Sequence, residues 1–147
     1  MLINEFISTA RQRLTTIKAN ASLVDAAKLL SNTHISLLVV CSPEGSMSGV
    51  VTKTDVIRQV AQPQESTLSA PVSAIMTRDV VRCHPGDLLY DVWSSMKARG
   101  FVHIPVVDEE SRPLGVINAR DALQALLAEV KDEESLLRDY VMGIGYR

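Results

Sequence analysis

Two aspartates end the same short sequence motif. Residues 49–55 read Gly-Val-Val-Thr-Lys-Thr-Asp and residues 115–121 read Gly-Val-Ile-Asn-Ala-Arg-Asp, a separation of 66 residues. In each copy a glycine, which lets a backbone approach another group closely, leads a short apolar strand into the first turn of a helix. A carboxylate at that turn is favoured by the positive end of the helix dipole. Asp55 and Asp121 are therefore candidate hydrogen-bond acceptors beside a closely approached backbone.

A purely structural interpretation of the motif is also open. Thr52 and Asp55 have the spacing of a capping box, in which a hydroxyl and an acid three residues later satisfy the free N–H groups of a helix start. A single copy of the motif would favour that interpretation. The duplication favours a functional one, because the rest of the chain repeats with it.

The other reactive side chains do not form a catalytic or metal-binding pattern. Cys41 and Cys83 lack a ligand spacing and are expected to be small buried residues in a reducing cytoplasm, with nothing that requires a disulfide between them. His34 and His84 have no partner at metal spacing and are expected on the surface. The chain also has no Gly-rich phosphate loop and no nucleophile–base constellation. We therefore expect a protein that is not an enzyme.

The composition indicates a cytoplasmic globular protein. Its 147 residues suit one domain or two small ones sharing a core, and 46% of them are hydrophobic. The net charge is −2 with both signs interspersed, so we expect no nucleic-acid partner. The apolar runs are too short to cross a bilayer, and the N-terminus does not resemble a secretory signal.

The first half of the chain predicts five elements after an amphipathic helix over residues 1–13. The apolar and capping patterns give a short strand at 14–17, a helix opened by the capping box Ser22–Asp25, strands at 36–41 and 47–52, and a helix at 54–61. On the last helix, Val56, Ile57 and Val60 are expected to face inward. Residues 62–71 have the composition of a linker.

The second half repeats this pattern. Residues 14–60 align with residues 80–126 without a gap, which predicts strand–helix–strand–strand–helix again, with strands at 102–107 and 114–118. The predicted units are therefore residues 1–61, 72–128 and a helical tail at 129–147, whose Gly-rich end from residue 142 is not expected to be helical. A unit of about 50 residues buries too little surface to be stable alone, so the halves should pack together.

Further segments of the chain accompany the two motifs: Ala-Ile-Met-Thr at 74–77, His-Pro-Gly-Asp at 84–87 and a glycine-to-aspartate strand at 100–108. With these segments, in this order, the chain resembles a stand-alone tandem pair of CBS domains of bacterial or archaeal type. The resemblance implies an α+β fold in which two β-α-β-β-α repeats pack around a pseudo-twofold axis, with small central sheets flanked by helices. Two equivalent clefts would lie between the repeats.

In this family the clefts often bind adenosine-containing ligands, so the resemblance implies AMP, ADP, ATP or S-adenosylmethionine as the candidate ligand. Asp55 and Asp121 become the expected ribose-binding residues, since an ionised carboxylate accepts from two neighbouring hydroxyls. Thr52 matches the hydroxyl residue that the family places three positions earlier. Asn118, its equivalent in the second copy, departs from that pattern.

Further residues are implied by position. The apolar side chains expected to line the adenine slots are Val50, Val116, Ile35 and Phe101. Gln12 and Arg78 are expected near the bases. His103 and Arg120 are expected near the phosphates, although His103 also fits a half-buried strand histidine and Arg120 a solvated helix-start cation.

The resemblance implies a non-catalytic regulatory module that needs no cofactor. Ligand binding would shift a conformational or oligomeric equilibrium, and an unknown partner protein would respond. A constitutive dimerisation scaffold that binds no nucleotide is the alternative. In either case we expect a homodimer, through the helix faces at 56–60 and 123–127, and the apolar tail is expected to pack on its own domain or on a second chain.

Overall fold

The computed structural model describes residues 1–62 and 67–142 and confirms a mixed α+β fold. A 3₁₀ turn at Ile3–Phe6 precedes α1, and two more, Thr67–Ser69 and Val72–Ala74, lie between the repeats. The helices are α1 Ile7–Gln12, α2 Leu23–Leu30, α3 Lys53–Ala61, α4 Leu89–Arg99 and α5 Ala119–Met142. The strands are β1 Thr16–Lys18, β2 Leu37–Cys41, β3 Met47–Thr52, β4 His103–Val107 and β5 Pro113–Asn118.

Each repeat contributes one small sheet. In the first, β1 pairs in parallel with β2, and β2 pairs antiparallel with β3. In the second, β4 and β5 form an antiparallel pair with the same register, because His103 opposes Asn118 as Leu37 opposes Thr52. Equivalent positions of the two repeats therefore differ by 66 residues, and this relation is called the repeat register below.

The predicted first strand of the second repeat is wrong. Around Cys83 only a single parallel bridge to Val106 forms. In the first repeat the Val39 N–H donates to the carbonyl of Thr15 at 2.9 Å. The equivalent of Val39 is Pro105, which has no N–H to donate, so this hydrogen bond cannot form and the ladder is shorter.

The segment that leads into each repeat packs on the other repeat. Ile3, Phe6 and Ala10 lie in the hydrophobic core of the second repeat, with Leu89, Met96 and Ile117 among their neighbours. In the opposite direction, Val72 is buried in the core of the first repeat with Ile17 and Ala26. These exchanged leading segments join the two repeats.

The glycines of the two motifs allow this exchange. A Cβ on Gly115 would lie 2.8 Å from the carbonyl carbon of Ala10, and one on Gly49 would lie 2.5 Å from the carbonyl oxygen of Thr77. Any side chain at either position would push the leading segment away from the sheet. A third cluster, formed by Val39, Met47, Val50, Val107 and Val116, fills the space between the two sheets.

Helix α3 differs from its prediction, and α5 contains the predicted helical tail. On α3, Ile57 and Val60 were expected to face inward but are 66% and 59% exposed. Helix α5 continues without interruption from the second repeat into the tail, and Leu136, Leu137 and Tyr140 on it are exposed. The Gly-rich end at 143–147 and the linker residues 63–66 lie outside the described residues. None of the helices in the described ranges is long and apolar enough to cross a membrane.

Candidate functional site

A cleft of about 440 Å³ lies where β3 and the start of α3 face the second repeat. One wall comes from the first motif and the other from residues 77–81 and 99–104. The residues that line it are Val50, Thr52, Thr54, Asp55, Arg58, Thr77, Asp79, Val80, Val81, Arg99, Phe101, His103 and Ile104. Both repeats are therefore needed to form this cleft, which we call the Asp55 cleft.

Asp55 is the one buried charged residue of the described chain, with 7% of its surface exposed. Its Oδ2 accepts hydrogen bonds from the Thr52 backbone N–H at 2.9 Å and from the Thr52 hydroxyl at 3.1 Å. The Asp55 N–H in turn donates to the Thr52 hydroxyl oxygen at 3.3 Å, so the capping box forms. The cap uses Oδ2 alone. Oδ1 lies 3.5 Å from the nearest guanidinium nitrogen of Arg58.

The apolar part of the Asp55 cleft suits a flat ring. Val50 and Ile104 are buried on its floor, and the partly buried ring of Phe101 forms a side. The guanidinium carbon of Arg99 lies 4.7 Å from the centre of the Phe101 ring, so a cation is stacked on the aromatic face at the edge of the cleft. The site thus combines an apolar slot, two carboxylates and two arginines.

His103 reaches the Asp55 cleft from the first position of β4 and is half-buried. Burial, and then the charge of Arg13, lower the pKa of His103 from its ordinary 6.5, against the opposite effect of Asp121. The ring is therefore neutral at pH 7. Its Nε2 lies 3.2 Å from the Asn118 side-chain nitrogen, and since an amide nitrogen can only donate, Nε2 accepts and the ring proton lies on Nδ1.

The second aspartate has a different partner. The Arg13 guanidinium donates through Nε to Asp121 Oδ2 at 2.7 Å and through Nη2 to Oδ1 at 2.8 Å. This bidentate ion pair raises the pKa of Arg13. The helix start is capped instead by Asn118, whose Oδ1 accepts from the Asp121 N–H at 3.0 Å. Both carboxylate oxygens of Asp121 are therefore engaged by the chain itself.

The structure brings five of the predicted residues to the Asp55 cleft and places the others elsewhere. Asp55, Thr52, Val50, Phe101 and His103 share that cleft. Asp121 and Asn118 form the second motif, Val116 is buried between the sheets, and Ile35 packs against the core of the first repeat. Gln12 and Arg120 are exposed, and the exposed Arg78 turns away to donate to the Ser73 carbonyl at 3.1 Å.

Several residues of the site were missed by the sequence prediction. Arg58, Asp79 and Arg99 line the Asp55 cleft, and Arg13 contacts the second motif. Two of them could have been found by comparing the repeats, because Arg13 and Asp79 occupy equivalent positions and carry opposite charges. Each stands one residue before the segment that the gapless alignment of the halves covers.

The described part of the chain shows neither a cluster of metal-ligand side chains nor a reactive thiol at Cys83. In residues 1–62 and 67–142 no three His, Cys, Asp or Glu side chains come together as ligands would. Burial, with a smaller contribution from Asp87, raises the pKa of the Cys83 thiol to about 12, so this cysteine stays protonated.

Comparison with known proteins points to one family. The family model of the CBS domain matches residues 5–62 and 72–128. The crystal structure of the CBS-domain protein ATU1752 from Agrobacterium tumefaciens aligns with a TM-score of 0.70 and 27% identity over 85% of this chain and 98% of that one. The CBS domain pair of protein MJ0100, solved in complex with 5′-methylthioadenosine and S-adenosyl-L-methionine, aligns with a TM-score of 0.70 and 25% identity over 86% and 99% of the two chains.

Longer relatives match over one part only. A homoserine O-acetyltransferase of Methanococcoides burtonii is 30% identical over 110 residues, which are 75% of this chain and 22% of the enzyme. The chain thus spans about a fifth of the length of this relative, and the match carries no information on the rest of that protein.

Proposed function

The chain belongs to the CBS-domain family as a tandem pair, and from that premise we propose that it is a regulatory module that binds an adenosine-containing ligand in the Asp55 cleft. The candidate ligands are AMP, ADP, ATP and S-adenosylmethionine. CBS domains generally regulate other proteins rather than catalyse reactions, and this module would act in the same way on a partner chain.

The observation that carries the proposal is the position of Asp55. Its Oδ2 is held by the helix cap, which fixes the carboxylate, and the residue lines a cleft between the repeats. A fixed acceptor is suited to a ribose hydroxyl, because its orientation has been set before the ligand arrives. The distance of Oδ1 from Arg58, 3.5 Å, is longer than a strong charge-assisted hydrogen bond.

The remaining cleft supports the other parts of the ligand. Val50, Phe101 and Ile104 offer apolar contact to an adenine ring. Arg58 and Arg99 lie within reach of a phosphate or carboxylate group, and Thr54 adds a hydroxyl at the N-terminal turn of α3. The relative MJ0100, whose CBS pair was solved with two adenosine derivatives, lends support from outside this chain.

Signalling would follow from the two-sided construction of the cleft. A ligand that contacts α3 of one repeat and β4 of the other stabilises one relative position of the repeats over its alternatives. The exposed apolar residues of the helices, Ile57 and Val60 on α3 and Leu123 and Leu127 on α5, are the surface we propose for a homodimer. The partner that responds would bind to this assembly.

The experiment is a calorimetric titration of the purified protein with AMP, ADP, ATP and S-adenosylmethionine. One of these ligands should bind and should raise the melting temperature by mass action. Asp55→Asn should abolish both effects. Asp25→Asn is the matched control, because Asp25 forms the same capping box with Ser22 on α2 outside the cleft. Equal loss of binding in both variants would contradict the proposed role of Asp55.

One observation favours the scaffold alternative. Both motif aspartates have structural partners, Asp55 in its cap and Asp121 in its ion pair, so neither needs a ligand to be satisfied. If no ligand of the panel binds at millimolar concentration while the protein remains dimeric, the constitutive scaffold is the function to adopt.

A further inference from the structure

The surroundings of the two motif aspartates differ at one equivalent position. In the repeat register, residue 13 of the first leading segment corresponds to residue 79 of the second. The side chain that the first leading segment brings to Asp121 is an arginine, and the one that the second brings to the Asp55 cleft is an aspartate. The first placement gives an ion pair of opposite charges, and the second puts two negative side chains in one cleft.

Arg13 is held firmly against the second motif. It directly follows α1, and its backbone N–H donates to the carbonyl of Ala10 at 3.1 Å. Ala10 is completely buried and packs on Gly115, the first residue of the motif that ends in Asp121. The exchanged leading segment therefore delivers the guanidinium to the carboxylate, without a flexible linker between the packed helix and the ion pair.

The ion pair competes with a ribose for the Asp121 carboxylate. The Arg13 guanidinium already donates to both of its oxygens, to Oδ1 at 2.8 Å and to Oδ2 at 2.7 Å. The side-chain oxygen of Asn118 accepts from the Asp121 N–H, and the Asn118 amide nitrogen is directed to His103. A ligand at Asp121 would have to displace a bidentate charge-assisted pair, whereas the guanidinium beside Asp55, that of Arg58, makes only a longer contact of 3.5 Å with Oδ1.

We propose that Arg13 is a built-in occupant of the second ribose position, so that each chain binds one adenosine ligand, in the Asp55 cleft, and none at Asp121. This inference rests on the proposed function and adds the stoichiometry and the residue that sets it. Asp79, the equivalent of Arg13, has no guanidinium with which to occupy Asp55 in the same way. The duplicated motif thus provides one ligand site and one internal ion pair.

The test is the stoichiometry of AMP and S-adenosylmethionine binding, each titrated into wild type and into Arg13→Ala. Wild type should bind one ligand per chain and Arg13→Ala two. The double variant Arg13→Ala/Asp55→Asn should bind one, now at Asp121. Arg138→Ala, which removes an arginine from the distant tail part of α5, is the control and should bind one. Circular dichroism verifies that each variant is folded, and Arg13→Gln serves in place of Arg13→Ala if the latter is not.

The outcomes separate the two proposals. Two ligands per wild-type chain, or one ligand in both wild type and Arg13→Ala, overturns the role of Arg13 and leaves the Asp55 site standing. Binding only after Arg13 is replaced overturns the Asp55 site and supports the occupant role. Binding by neither protein overturns both.

Discussion

The two motif aspartates occupy equivalent positions of the repeat but serve different purposes. Asp55 folds back onto its own helix start through Thr52 and lines a cleft. Asp121 leaves the capping to Asn118 and reaches across to Arg13. The two copies share their first two residues and the final aspartate, and they differ at the capping position, Thr52 against Asn118. The leading segments from the other repeat differ as well, Arg13 against Asp79. Under our proposal, this second difference sets which of the two positions can hold a ligand.

Exchanging the charge at the equivalent position should have the largest effect. Asp79→Arg places a guanidinium in the Asp55 cleft, where it can pair with Asp55 as Arg13 pairs with Asp121. We expect the affinity for the adenosine ligand to fall about 100-fold, which corresponds to roughly 2.7 kcal/mol. Calorimetric titration of wild type and Asp79→Arg with the same ligand measures this difference in affinity.

Asp79→Asn provides the control for that exchange. It removes the negative charge and adds no cation, so binding should remain within about threefold of wild type. An equal loss of affinity in both variants would mean that Asp79 itself contacts the ligand. The proposed difference between the two motifs would then be wrong.

Removing the two caps should separate stability from binding. Thr52→Ala and Asn118→Ala each delete an N-cap, at a cost of about 1 kcal/mol in the free energy of unfolding measured with urea. Thr52→Ala also removes one of the two hydrogen bonds to Asp55 Oδ2 and keeps the one from the backbone N–H, so the carboxylate is held less firmly and we expect about tenfold weaker ligand binding as well. Asn118→Ala should bind like wild type. Weaker binding in Asn118→Ala would show that the second motif contributes to the site after all.

The ion pair at the second motif should contribute little to stability. The Arg13 and Asp121 side chains are 40% and 15% exposed, so solvent screens the pair in part. Arg13→Ala should lower the free energy of unfolding by about 1 kcal/mol or less, and a double-mutant cycle with Asp121→Asn isolates the pairwise contribution. High salt should reduce this coupling. A coupling of several kcal/mol would instead assign the pair a mainly structural role.

The smallest expected effect is a pH dependence from His103. Since its pKa in the folded protein is lowered below 6.5, the unfolded chain binds the proton first as the pH falls. The folded state is therefore fully favoured above pH 6.5 and loses stability below it, until the pH passes the folded pKa. His103→Gln should remove this loss between pH 7.5 and 5.5 in urea melts.

Asp25 and Asp108, whose pKa values are lowered from 3.8, take up protons only in more acidic solution and do not affect stability in this pH range.

The pKa of His103 also reports on the position of Arg13 beside the second motif. The charge of Arg13 lowers the pKa of His103, so Arg13→Ala should raise that pKa in an NMR titration of the imidazole. The titration needs no ligand, and it reports whether the guanidinium stands beside the second motif in solution. An unchanged pKa would contradict that placement.

Local patterns predicted most of the fold. The capping boxes at Ser22 and Thr52 are present, and β3 has the predicted bounds. The internal repeat predicted the tandem arrangement, and the family resemblance added the pseudo-twofold axis and the clefts between the repeats. Five of the predicted site residues share one cleft, because they follow from the position of the motif within the repeat.

The features that escaped prediction depend on contacts between distant residues. A proline at 105 shortens a ladder whose other strand lies more than twenty residues earlier. The Arg13–Asp121 pair joins residues 108 positions apart. The spacing of Ile57 and Val60 is that of a buried helix face, but both side chains are exposed. Val56 is the apolar side chain of α3 that packs against the core of the first repeat. Periodicity identifies an apolar stripe and cannot identify the surface that covers it.

The exchange of leading segments has a consequence for how the molecule can be divided. A cut between Gln62 and Thr67 would give two fragments, each of which carries the piece that completes its counterpart: the first would hold Ile3, Phe6 and Ala10, and the second Val72. Neither fragment could close its own hydrophobic interior. When the two fragments are mixed, each should supply the segment that the other lacks, and they should reassemble by complementation. The cleft at Asp55 would form again only in the reassembled pair.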